Sequence, residues 1–137
     1  MKPIQYNSYA KPSNNTPPLT DIPILKKSID LYKTYYLYAQ GFPKKDKYTI
    51  GATCERYLIQ IIELLVEASY LSKEQKLFSL QQASTKLEAL KVFIRLLYEL
   101  KVIDQKKYID LQSRIQEIGK MFGGWMRSIK PPDAGFM

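Results

Sequence analysis

The chain has 137 residues, 45% hydrophobic and 25% charged, enough for one globular domain with an apolar core. Its formal net charge of +8 predicts attraction to a polyanion or to an acidic protein surface. With no histidine and a single cysteine, Cys54, one chain cannot assemble a Cys–His zinc site, a Cys–His nucleophile, a Ser–His–Asp triad or an internal disulfide. This usage fits a reducing cytoplasm.

Residues 1–21 are rich in Pro, Asn, Ser and Thr and show no periodicity, so they read as an extended or disordered arm; an untethered tail fits better than a partner contact through Lys2, Lys11, Tyr6 and Tyr9. There is no signal-peptide pattern at the start and no apolar run of membrane-spanning length, so the expectation is a soluble cytoplasmic protein. A first helix is predicted from Pro23 to Gln40, with Pro in its first turn and "GFP" as its stop. The loop "GFPKKDKY" carries Lys44, Lys45 and Lys47.

A second helix is predicted from Thr49 to Leu71. Apolar residues, Cys54 among them, cover most of its circumference and leave a narrow strip of Arg56, Gln60, Glu63 and Glu67. The third begins at "SKEQ", where Ser72 and Gln75 have capping-box spacing, and runs to Val102. Leu87, Leu90, Ile94 and Leu97 form its bundle stripe, while Phe93, Leu96 and Leu100 add a second apolar face. Asp104 is positioned to cap a fourth helix over Gln105–Ile129, stopped by "KPP". Four long helices with short connections predict an all-α, antiparallel up-down four-helix bundle over 22–130, followed by a flexible tail at 131–137.

The fourth helix contains the sequence's most unusual stretch, "EIGKMFGGWMRSIK". Tyr108, Leu111, Ile115, Ile118, Phe122, Trp125 and Ile129 fall on one stripe at helical spacing. Gly119 and Gly123 lie beside it, one turn apart, and predict close approach of another backbone, since a helix-interior glycine otherwise costs about 1 kcal/mol. Lys120 and Arg127 are expected on the opposite, solvent-facing side. The apolar excess of the second and third helices exceeds what one small bundle can bury, which predicts a homo-oligomer.

Glu63 and Glu67 have the i, i+4 spacing of paired carboxylates, but a di-iron bundle would also need Glu-x-x-His; a solvated strip, or a pair for Arg56, fits better. Cys54, in an apolar arc, reads as a small hydrophobe. The basic residues are the better lead. Lys91 and Arg95, with Tyr98 near the same line, join Lys44, Lys45, Lys47, Arg56, Lys120 and Arg127 as candidate contacts for phosphates. There is no RNP motif, helix-turn-helix signature, zinc knuckle or phosphate-cradling glycine loop.

Three segments in order, "FPKKDKYTIGATCERYLIQIIELLVEASY", "KLEALKVFIRLLYELKVI" and "EIGKMFGGWMRSIK", resemble the accessory variability determinant (Avd) proteins of diversity-generating retroelements. The resemblance spans about Ile24 to Lys130. It implies a four-helix protomer in a ring-like homopentamer with a basic surface, binding a reverse transcriptase and its template-repeat RNA in support of mutagenic cDNA synthesis. The family has no known catalytic role; together with the missing histidine and the lack of a long apolar run, the expectation is no enzyme activity, no cofactor or metal, no membrane and no small-molecule substrate. The alternative is a four-helix nucleic-acid-binding or scaffold protein of the ribosomal RNA intervening-sequence type, with no reverse transcriptase partner. That group carries an "RRAAVSIPSNIAEG"-like second helix where this chain has "CERYLIQIIELLVEASY".

Overall fold

The computed structural model describes residues 22–129; the predicted arm and tail lie outside them. The elements are α1 (Pro23–Ala39), a single turn α2 (Lys44–Lys47), α3 (Ile50–Ala68), α4 (Lys73–Glu99) and α5 (Gln105–Ile129), with no strand among the described residues. The four long helices close a ring of neighbours, α1 on α3, α3 on α4, α4 on α5 and α5 on α1.

Each neighbouring pair is antiparallel, as contacts of opposing register show. Tyr32 and Tyr35 on α1 meet Glu55 and Gly51 on α3. Tyr57 and Leu64 on α3 meet Phe93 and Ser79 on α4. On α5, Tyr108 stacks on Tyr98 and Gln112 donates to the Lys91 carbonyl, both on α4, while Asp110 accepts from Tyr38 of α1.

Each helix contributes one stripe to the core. Leu31 and Tyr35, then Cys54, Leu58, Ile61 and Leu65, then Leu80, Leu87, Leu90, Ile94 and Leu97, then Leu111, Ile115, Ile118 and Phe122 are all essentially inaccessible. Burying a side chain of this size is worth roughly 1.5–3 kcal/mol, so these stripes hold the bundle together. Its buried serines, Ser28 and Ser79, give their hydroxyls to the carbonyls of Ile24 and Leu64. The predicted stripe of α5 fades at its ends, where Tyr108, Trp125 and Ile129 are half-buried.

The helix ends correct the sequence reading in detail. Ser72 is the N-cap of α4, but its hydroxyl donates to the Gln75 side chain at 3.4 Å and accepts from no backbone amide of the first turn, so the capping box is not formed. Asp104 does cap α5, accepting from the Lys107 amide at 2.9 Å. The third predicted helix stops at Glu99, short of Val102, because Lys101 adopts a left-handed φ of 64°. There Val102 donates to the Leu97 carbonyl and Lys101 to that of Tyr98, a Schellman termination carried by a lysine instead of the usual glycine. The lysine loop contains the unanticipated turn α2.

Candidate nucleic-acid interface

Four of the eight candidate cations converge on the face between α4 and α5. A groove there is lined by Glu88 and Lys91 of α4 and by Gly119, Lys120, Gly123 and Arg127 of α5. The adjoining groove continues toward the other end of the pair with Lys91, Arg95, Tyr108, Gln112 and Gln116. Lys91 belongs to both, so the two make one continuous track. The Gln112 side chain, donating to the Lys91 carbonyl at 3.0 Å, fixes the register of the helices along it.

The cations of this track differ in how free they are. Lys91 pairs with Glu88 at 3.3 Å and Arg95 with Glu99 at 2.9 Å, both on the exposed surface. The Glu99 carboxylate, as hydrogen-bond partner and as charge, raises the Arg95 pKa further. Lys120 and Arg127 are exposed and carry no ion pair among the described residues. Lys120 and Arg127 therefore have no carboxylate partner to displace among the described residues, whereas Lys91 and Arg95 each have one.

The structure revises the expected role of the glycines. A Cβ at Gly119 would touch only the Leu87 side chain, at 3.8 Å, and one at Gly123 would meet the Arg127 guanidinium at 3.2 Å. Within the protomer no second backbone approaches either of them. Nor do the glycines and the cations separate onto opposite faces: Gly119 and Gly123 form the floor of the groove that Lys120 and Arg127 border. The helical period of α5 alone does not show this, because a groove between two helices gathers positions on either side of a helix's exposed crest.

The remaining candidates lie elsewhere. Lys44, Lys45 and Lys47 sit on α2, exposed and without an ion pair among the described residues. Arg56 is exposed on α3 with its guanidinium 5.8 Å from the Tyr57 ring, a ring that Lys86 also approaches at 5.3 Å. It makes no pair with Glu63 or Glu67, which line a polar groove between α3 and α4 with Gln60, Gln82 and Lys86. No group of three or more metal-ligating residues exists among those described. Cys54 is fully buried, and burial pushes its thiol up to about 12, so it stays protonated near neutrality.

Of the expected interface residues, Phe93 is taken up by the bundle itself, half-buried and edge-on to Tyr57 at 5.4 Å. Leu96 and Leu100 are exposed and, with Val92 at i−4 from Leu96, form an uncovered apolar row on α4.

Sequence reasoning missed how α2 is held. Gly51, in the first turn of α3, faces the Asp46 carbonyl oxygen and the Phe42 ring, and a Cβ there would lie 2.8 Å from the former and 3.1 Å from the latter. Tyr35, buried, donates to the Gly51 carbonyl at 2.7 Å and packs edge-on to Phe42 with centroids 5.9 Å apart. The Thr49 hydroxyl donates back to the Lys45 carbonyl at 2.6 Å. These contacts pin the lysine turn to the bundle. The local signal was the tyrosine-rich run "YKTYYLYA" in α1, more aromatic than a core stripe requires.

The fold and this surface define a helical-bundle protein with a cationic track between two of its helices and no helix, among the described residues, long and apolar enough to cross a membrane. Residues 23–129 match the bAvd-like family, and the chain belongs to it. This is the Avd family of diversity-generating retroelements, an accessory-protein family with no known catalytic role. No curated protein matches the chain.

Proposed function

We propose that this protein is a non-enzymatic accessory subunit of a diversity-generating retroelement, binding the reverse transcriptase and its template-repeat RNA to support mutagenic cDNA synthesis. The observation that carries the RNA part is the α4/α5 track, where Lys91, Lys120 and Arg127 border one groove and Arg95 extends it. Cations along a groove suit a phosphate backbone, and such contacts orient RNA without reading its sequence. The family match supports the polymerase part, and the exposed row of Val92, Leu96 and Leu100 is apolar surface for a protein contact. A ring-like homopentamer would repeat the track about the symmetry axis and multiply its field.

RNA binding by the full chain, measured across a salt series, tests this reading. Affinity should fall linearly on a log–log plot, and replacing Lys120 and Arg127 together with Ala should reduce the slope by about 0.7 for each single-strand phosphate that the variant no longer neutralises. The double variant should also lower cDNA synthesis in a system reconstituted with the polymerase. The Lys91→Ala, Arg95→Ala pair should have the smaller effect, because those cations are already paired. Light scattering should report a pentamer. Undiminished binding and synthesis in the Lys120, Arg127 variant would remove the track from the function.

A further inference from the structure

A second pocket, of about 270 Å³, opens between α1 and α3 beside the lysine turn, lined by Tyr32, Tyr36, Gln40, Lys47 and Glu55 over a floor that includes Gly51. It lies on different helices from the cationic track and has a different character. Tyr36 is 53% exposed and offers a ring face, 6.3 Å from the Tyr32 ring and inclined to it by 31°. The Tyr32 hydroxyl donates to the Glu55 carboxylate at 2.9 Å, which holds that carboxylate at the pocket wall and leaves its other oxygen to accept. Lys47 stands at the pocket, with Lys44 and Lys45 on the same turn.

We infer that this pocket receives one unpaired nucleobase of a bound RNA, stacked on Tyr36 and read by Glu55, with the α2 lysines on the flanking phosphates. Aromatic faces interleaved with cations are what single-stranded nucleic acid requires, because every base has a stacking face and every linkage a charge. The division of charge selects against other occupants. A small anion gains nothing from Glu55, a duplex cannot present a base face, and an apolar peptide has no use for three exposed lysines. Glu55 accepts from the amino group of adenine, cytosine or guanine, whereas the N–H of uracil is flanked by two carbonyl oxygens that a carboxylate repels. The pocket is formed without a ligand: the Tyr35 hydrogen bond to the Gly51 carbonyl ties α1 to α3 at its floor, and the Asp46 carbonyl of the lysine turn packs closely on Gly51.

This inference rests on the reading of the protein as an RNA-binding subunit and adds to it a base-selective subsite. The test uses the full chain with 12-nucleotide oligoadenylate, oligocytidylate and oligouridylate and with an RNA duplex, at one fixed salt concentration. The wild type should favour the first two over oligouridylate by about fivefold or more. Tyr36→Ala should weaken single-strand binding by about 5- to 100-fold and duplex binding little, and Tyr36→Phe should restore it. Glu55→Ala should bind single strands while losing the preference against uracil. If Tyr36→Ala binds single strands as the wild type does while the Lys120, Arg127 double variant does not, the pocket inference fails and the track stands. Loss of polymerase binding in Tyr36→Ala with RNA binding intact would assign the pocket to a protein and overturn the inference. No RNA binding by the wild type would overturn both readings.

Discussion

Two regions of this chain use glycine in opposite ways. Gly119 and Gly123, conspicuous in the sequence, have room beside them: a side chain at either would meet at most the tip of another side chain. Gly51, which looks like an unremarkable residue near a helix start, has the Asp46 carbonyl and the Phe42 ring where its Cβ would go. A glycine is required where a second chain segment approaches, and that is decided by residues distant from its helical neighbours. At the α4/α5 face the missing side chains leave a groove open; at the α2 turn one missing side chain lets the chain close.

The sharpest way to break this comparison is to fill Gly51. Gly51→Val should destabilise the protein by about 2–3 kcal/mol, because the Asp46 backbone has no flexible tip to move aside. It should also displace α2, so RNA contacts of Lys44, Lys45 and Lys47 should weaken in the same variant. Denaturant unfolding measures the first effect and binding of oligoadenylate the second. Stability equal to wild type would mean that the turn relaxes freely and is not a built seat.

A second test addresses the tyrosine that holds the seat. Burial raises the Tyr35 pKa well above its ordinary 10.0, and burial likewise raises Cys54 from 9.0 to about 12. A folded-state pKa above the unfolded one means the native state holds its proton longer, so stability is intact below about pH 9 and is lost as pH rises beyond it. Above pH 10 Tyr35 should contribute a loss of about 1.4 kcal/mol per pH unit. Tyr35→Phe should start about 1 kcal/mol less stable for want of the hydrogen bond and then lose stability less steeply in alkali. Parallel curves for the two proteins would show that the hydroxyl is not held in the core.

What was legible in the sequence follows from the same distinction. The long helices, their stripes and the Asp104 cap are short-range patterns, spaced by the helix period or by one turn, and the structure has them. The cations of the track were readable as residues but not as a track, because Lys91 and Lys120 come together only through the register of α4 against α5. Gly51, α2 and the Tyr36 pocket depend on contacts between α1, the turn and α3, for which no spacing rule gives notice. Lys101 is a further case: no composition signal marks a lysine that will turn left-handed.

Filling the conspicuous glycines should have a smaller effect, and of the opposite sign. Gly119→Ala places a methyl in ordinary contact with Leu87 and removes a helix-interior glycine, so thermal or denaturant unfolding should show a gain of up to about 1 kcal/mol. Gly123→Ala requires the Arg127 guanidinium to shift and should gain less. If copies of the chain meet across this groove, light scattering should show the oligomer weakened even as the protomer is stabilised. A destabilised protomer would restore the close-packing role that the sequence suggested.

The smallest expected effect comes from supplying glycine where the fold wants it and has a lysine. Lys101 sits at φ 64°, a region that costs a residue with a Cβ roughly 1–2 kcal/mol, and it closes α4 by donating to the Tyr98 carbonyl. Glycine would adopt that conformation without the steric penalty, but its more flexible unfolded chain offsets up to about 1 kcal/mol of the gain. Lys101→Gly should therefore raise unfolding stability by about 0.5 kcal/mol, with the Leu97 to Val102 closure unchanged. RNA binding should change little, since Lys101 lines neither the cationic track nor the tyrosine pocket. A loss of stability would mean that the lysine stem covers apolar surface at the top of α4, where Leu100 is 60% exposed, and that this cover outweighs the strain of the turn.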